Sequence, residues 1–160
     1  MKTLSHFDSN GHAAQVNVSG KSVSRRQATA YGEIHARARV IKALLKKQLT
    51  KGDALTTAKI AGIFGAKRTA ELIPLCHGLN LDWADVTFKI FPEKIAVTAA
   101  AHACGKTGVE MEALTAVSLA CLTLYDMCKS LDKTIVIGPI YLVEKKGGKS
   151  GVYRRRNHAN

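Results

Sequence analysis

The sequence predicts an α+β fold, one antiparallel sheet covered by helices on one face. Residues 79–83 and 86–90 alternate apolar and polar side chains, and Phe91-Pro92-Glu93-Lys94 turns the chain into a third run at 95–101, as in an antiparallel set of strands. Residues 105–129 instead repeat apolar side chains at Leu114, Val117, Cys121, Leu124 and Cys128, the spacing of a helix with one buried face. With 160 residues at 46% hydrophobic composition, the chain can bury one ordinary core, so residues 1–160 read as a single domain.

In chain order, residues 1–12 read as a loose lead with a turn at Asp8-Ser9-Asn10-Gly11. Residues 13–18 alternate as a short strand would, and residues 20–26, rich in Gly, Lys, Ser and Arg, read as a mobile basic loop. Ala28, Ala30, Gly32, Ile34 and Ala36 share one parity and predict a strand over 27–37. Helical period follows over 39–49, pairing Val40 with Leu44 and Ile41 with Leu45. Asp53 is placed to cap a second helix that continues through Ile60 and Ile63 toward Leu72 and stops at Pro74. Its small residues, Ala58, Ala61, Gly62, Gly65 and Ala66, would let another backbone approach closely. Thr107 followed by Glu110 predicts a capping box at the start of the long helix. Residues 133–143 predict a last strand broken at Gly138-Pro139, and 152–160 a loose basic tail.

Charge narrows the partners. Lys and Arg outnumber Asp and Glu by 24 to 12. Nine Lys or Arg against one Glu lie in residues 21–51, and six more without an acid in 145–156. Such clustering favours phosphate-bearing partners: nucleic acid, a membrane surface or a small polyphosphate. No apolar run marks the start as an export signal, and the uncharged run at 113–125 is short for a bilayer. Cys76, Cys104, Cys121 and Cys128 show no C-x-x-C spacing and fit reduced thiols in a cytoplasmic protein. A zinc site from Cys76, His77, His102 and Cys104 lacks the usual ligand spacing, so no metal is assigned.

Two triplets, Gly105-Lys106-Thr107 and Gly148-Lys149-Ser150, imitate a P-loop, but Ala100 and Val143 stand where its first glycine belongs. His77, just after Pro74, is a candidate hydrogen-bonding ligand, against the default of a histidine capping a carbonyl. The strongest pair on physical grounds is Asp126 with Lys129, one turn apart on the long helix, where a carboxylate beside an ammonium can move protons. Its plain alternative is a surface ion pair of little consequence. Glu112 lies on the same helix, roughly 21 Å from Asp126 at 1.5 Å per residue. A small substrate touching both must be elongated, or the two ends serve different copies of a site shared between subunits.

Three segments carry a resemblance: KGDALTTAKIAGIFGAKRTAELIPLCH (51–77), GKTGVEMEALTAVSLACLTLYDMCK (105–129) and VIGPIYLVEKKGGKSG (136–151). Together, and in this order, they closely resemble the cyclic pyranopterin monophosphate synthases, the molybdenum cofactor biosynthesis protein C family. The resemblance implies a ferredoxin-like fold and a homohexamer, a trimer of dimers with active sites at subunit interfaces. It also implies a lyase that converts 3',8-cyclo-7,8-dihydroguanosine 5'-triphosphate to cyclic pyranopterin monophosphate and releases pyrophosphate. No resident cofactor is implied; Mg²⁺ is left open as a companion of the triphosphate.

By position, the resemblance makes Asp126 the acid or base, with Lys51 and Lys129 as catalytic or phosphate-handling lysines. It assigns Leu75, Cys76 and His77, and Met111 with Glu112, to substrate binding, where a carboxylate suits the N–H groups of a guanine-derived ring. Lys21 and Arg26, and Lys145 and Lys149, are expected to close on the phosphates. Asn17 stands where the family has Asp, and Gly78 where it has Pro. The alternative from another class is a basic α+β module that binds nucleic acid. Only nine aromatic residues exist, and of these only Tyr31 and Tyr153 fall within the basic segments, which leaves phosphate affinity with little base readout.

Overall fold

The computed structural model describes residues 10–156. Nine elements follow one another: β1 (Ser24–His35), α1 (Ala38–Leu45), α2 (Ala54–Lys67), α3 (Thr69–Leu72), β2 (Trp83–Ile90), β3 (Lys94–Gly105), α4 (Glu110–Cys128), β4 (Val136–Lys146) and β5 (Tyr153–Arg154). The strands form one antiparallel sheet in the order β2-β3-β1-β4-β5, with α4 packed across its centre and α2 packed on α4. The expected α+β class, one sheet with helices on one face, is what forms.

Alternation along β1 and β3 decides which face the helices cover. Ala28, Ala30, Gly32 and Ile34 point into the core together with Ile95, Val97, Ala99, Ala101 and Ala103. Such small side chains let α4 lie close to the sheet. A Cβ on Gly32 would sit 2.5 Å from Val117 Cγ1. The helix pair is as tight: a Cβ on Gly62 would lie 2.8 Å from the Ala116 carbonyl, and one on Gly65 would overlap Leu119. The close approach expected from the small residues of α2 is therefore real.

Local chemistry explains several boundaries. Asp53 caps α2 as expected, its carboxylate accepting from Thr56 N at 3.1 Å. The helix predicted to reach Leu72 breaks at Arg68, where buried Thr69 donates its hydroxyl to the Gly65 and Ala66 carbonyls, a back-bonding that bends helices. Helix α1 ends at Leu45 rather than at residue 49, because Lys47 turns left-handed at φ 53°; Leu49 is buried all the same.

Further expectations are corrected. Residues 13–18 form an extended strap with a single bridge at Ala13, not a strand. The basic loop is shorter than expected, since Ser24, Arg25 and Arg26 already belong to β1. Residues 79–82 precede β2 and are not part of it; Leu79 and Leu81 pack against the core, and only Asp82 N reaches β3, donating to the His102 carbonyl at 2.9 Å, so their alternation mainly reflected burial. No capping box forms: α4 starts without a side-chain cap, and the Glu110 carboxylate folds over Gly108, where any Cβ would overlap it. Strand β4 runs through Gly138-Pro139, which are absorbed as a register shift opposite β1, and part of the tail pairs as β5 against Glu144 and Lys145. The lead expected over 1–12 and its turn fall largely outside the described residues, as does the end of the tail.

By length and a mean hydropathy of 1.3, α4 could cross a bilayer. Here it is the core helix, with Val117, Ala120, Cys121 and Leu124 fully buried.

Candidate active site

The two ends of α4 carry two different clusters. At its C-terminal end Asp126 sits between two ammonium groups. Lys129 Nζ lies 2.7 Å from Asp126 Oδ1, and Lys51 Nζ, reaching in from the loop before α2, lies 2.6 Å from Oδ2. Lys51 also donates to the Asp126 carbonyl at 3.1 Å. The hydrogen bonds from Lys129 and then Lys51 pull the Asp126 pKa down to about 2, and Asp126 in turn raises that of Lys129. Asp126 is thus ionised at neutral pH, and about half exposed.

At the N-terminal end of α4 lie two joined cavities. One, about 390 Å³, is lined by Val16, Val18, Leu75, Cys76, His77, Met111 and Glu112. The other, about 370 Å³, is lined by Arg26, Lys106, Lys145, Lys146 and Lys149. Lys21, Thr107, Gly108 and Glu110 line both. All nine residues expected to bind substrate are in these walls, drawn from four separate stretches of chain.

Hydrogen bonds hold the strap of residues 15–19 over the first cavity. Gln15 donates to the Cys76 carbonyl at 2.9 Å, and Lys106 donates to the Ser19 carbonyl at 2.7 Å. His77 Nε2 meets the Val16 carbonyl at 2.7 Å. A carbonyl only accepts, so Nε2 carries the proton, and a neutral ring keeps Nδ1 as an acceptor. The plain reading of His77 as a carbonyl cap therefore holds, within the wall of a cavity. Asn17 accepts from Ser19 N and Ser19 Oγ, a turn an Asp would make equally well. Gly78 has nothing within 4 Å of a would-be Cβ. Neither departure from the family pattern disturbs the wall.

Glu112 is the unusual group. It is 4% exposed, and its Oε2 has no hydrogen-bond partner among the described residues. Burial pushes its pKa up to about 7, with Glu110 adding repulsion against the pull of a backbone N–H. The Cys76 thiol is also pushed up, by burial first and by Glu112 second. A buried carboxylate in the wall of a half-apolar cavity, with one oxygen unpartnered among the described residues, suits a ligand N–H donor.

The structure does not bring Glu112 and Asp126 together; they remain at opposite ends of one helix, roughly 21 Å apart. Lys106, Lys146 and Glu110 are wall residues that sequence reasoning missed. Lys106 was visible in its Gly-Lys-Thr triplet, but that triplet reads equally as a plain helix start. Arg68, at the break between α2 and α3, pairs with Glu71 at 2.8 Å and lies over the Phe64 ring.

Comparison with known proteins adds independent support. The MoaC family profile matches residues 15–148. Proteins named cyclic pyranopterin monophosphate synthase align over nearly their whole length. The one from Novosphingobium aromaticivorans is 52% identical over 154 residues, 96% of this chain and 98% of its own. That from Desulfitobacterium hafniense is 49% identical over 156 residues, 97% of this chain and 96% of its own. With the match spanning most of the chain and the motif residues gathered around joined cavities, this protein belongs to the MoaC family.

Proposed function

We propose that this protein is a cyclic pyranopterin monophosphate synthase. It is a lyase that rearranges 3',8-cyclo-7,8-dihydroguanosine 5'-triphosphate to cyclic pyranopterin monophosphate, with release of pyrophosphate, in molybdenum cofactor biosynthesis. The observation that carries this reading is the joining of a half-apolar, carboxylate-bearing cavity to a strongly cationic one. A guanine-derived ring suits the first, against Leu75, Cys76, His77 and Met111, with Glu112 accepting its N–H groups. A triphosphate suits the second, against Lys21, Arg26, Lys145 and Lys149. Basic residues gathered around one cavity, instead of along an open stripe, favour a small anion over nucleic acid.

Asp126, Lys51 and Lys129 supply the proton chemistry. Held ionised, Asp126 is the base and the electrostatic partner, and the two ammonium groups carry the protons. Because this trio sits at the far end of α4 from the cavities, a second copy of the chain must bring its own trio to them. That supports a homohexamer, a trimer of dimers, with active sites between subunits. The strand order, with helical layers after β1 and after β3, supports a ferredoxin-like topology. The enzyme works in the cytoplasm, without membrane or nucleic-acid partners and without a resident cofactor; any Mg²⁺ arrives with the triphosphate.

The test is pyrophosphate release and cyclic pyranopterin formation by the purified protein. Asp126→Asn keeps the fold and substrate binding and lowers turnover at least ~100-fold, with Lys51→Ala and Lys129→Ala also failing. Turnover near wild type in Asp126→Asn removes that residue from the chemistry. Wild-type protein that neither binds nor converts the substrate returns the nucleic-acid reading.

A further inference from the structure

The triplet Gly148-Lys149-Ser150 fails as a P-loop, and its glycine meets a different need. Gly147 and Gly148 turn the chain after β4 at φ 97° and 75°, conformations that favour glycine. The turn presses on β1. A Cβ on Gly147 would overlap the Arg25 carbonyl, and one on Gly148 would overlap Arg26 Nη1 and stand 2.7 Å from its Cζ. On its other side, Arg26 Nε donates to the Gly105 carbonyl at 3.2 Å. The guanidinium is therefore held between the end of β3 and the bare Cα of Gly148. Lys145 donates to the Ser150 hydroxyl across the same turn. Lys21, Arg26, Lys106, Lys145 and Lys149 all line the cationic cavity of about 370 Å³.

We propose that Gly148 is a positioning residue for Arg26: its missing side chain is the slot in which the guanidinium lies, so that Arg26 faces the di- or triphosphate group of the ligand. This rests on the functional reading above. A guanidinium binds phosphate oxygens through a planar fork, so its orientation decides how many of its N–H groups reach the ligand. Filling the slot displaces the fork without removing its charge.

Gly151, in the same turn, supplies the control. Its φ is +62° and nothing lies within 4 Å of a would-be Cβ, so Gly151→Ala carries similar backbone strain without touching Arg26. The measurement is the affinity of the full-length protein for inorganic pyrophosphate by titration calorimetry, paired with kcat and KM for the triphosphate substrate. Gly148→Ala weakens pyrophosphate binding and raises KM about 10-fold more than Gly151→Ala does, about 1.4 kcal/mol. On an Arg26→Ala background, Gly148→Ala costs no more than Gly151→Ala does, since a residue acting through Arg26 is silent once Arg26 is gone. Equal losses in the two glycine variants, or an undiminished Gly148→Ala effect without Arg26, overturn this proposal alone. Wild-type protein that neither binds pyrophosphate nor releases it from substrate overturns the functional reading beneath it.

Discussion

Glu112→Gln measures how far the site is held against the stability of the fold. The Glu112 carboxyl is buried without a partner for Oε2 among the described residues, and burial moves its pKa from an ordinary 4.5 to about 7. An acid with a raised folded-state pKa loses stability as pH rises, because the unfolded chain releases its proton before the folded chain does. Stability therefore falls across the window from about 4.5 to about 7 and stays down above it. At ~1.36 kcal/mol per pKa unit, that gap is worth about 3 kcal/mol. Gln has nearly the same shape and no charge to desolvate, so the variant escapes this penalty. Its amide N–H groups bring a constant offset of about 1 kcal/mol or more, which makes the pH dependence the readout. Urea unfolding of both proteins at several pH values from 4.5 to 8, at one fixed protein concentration, should show stability shifting toward the variant by about 3 kcal/mol as pH rises. A difference between the two that does not change with pH refutes the reasoning. The same variant should bind substrate poorly, as expected where a functional group is retained at the expense of stability.

Other perturbations separate the remaining elements. If Glu112 and Asp126 of one active site come from two chains, inactive Glu112→Gln and Asp126→Asn proteins, mixed during refolding, should recover roughly a quarter of wild-type turnover. No recovery in assembled mixtures removes the shared site. The Asp126→Asn defect should be equally severe from about pH 4 to pH 9, since Asp126 titrates near 2 and stays ionised throughout that range; a defect that vanishes at low pH contradicts it. Gly32→Ala should destabilise the protein by about 1–3 kcal/mol through overpacking, as its Cβ would sit 2.5 Å from Val117 Cγ1. A urea midpoint equal to wild type would show that α4 does not lie on β1 that closely.

Much of the fold was legible as periodicity. The parity of Ala28, Ala30, Gly32 and Ile34 marked β1, and the spacing of Val117, Cys121, Leu124 and Cys128 marked the buried face of α4. Asp53 as a cap and the small residues of α2 as a contact surface could be read one position at a time. The family likeness needs no fold to be seen, because the long motifs around Lys51, His77, Glu112 and Asp126 carry it in linear order.

What the sequence determined by itself was the set of chain segments with a buried face and the side chains that carry the chemistry. Only the tertiary structure decided which segments pair and which groups meet. Residues 13–18 and 79–82 alternate like strands yet belong to none, and Tyr153–Arg154 pairs without any periodic signal. Lys51 reaches Asp126 across 75 positions, and residues 16–21, 75–77, 106–112 and 145–150 close around joined cavities. Alternation and helical period record burial, which each segment shows on its own. Strand pairing, desolvation of a carboxylate such as Glu112, and the slot at Gly148 depend on what distant parts of the chain bring alongside, and no local pattern encodes that.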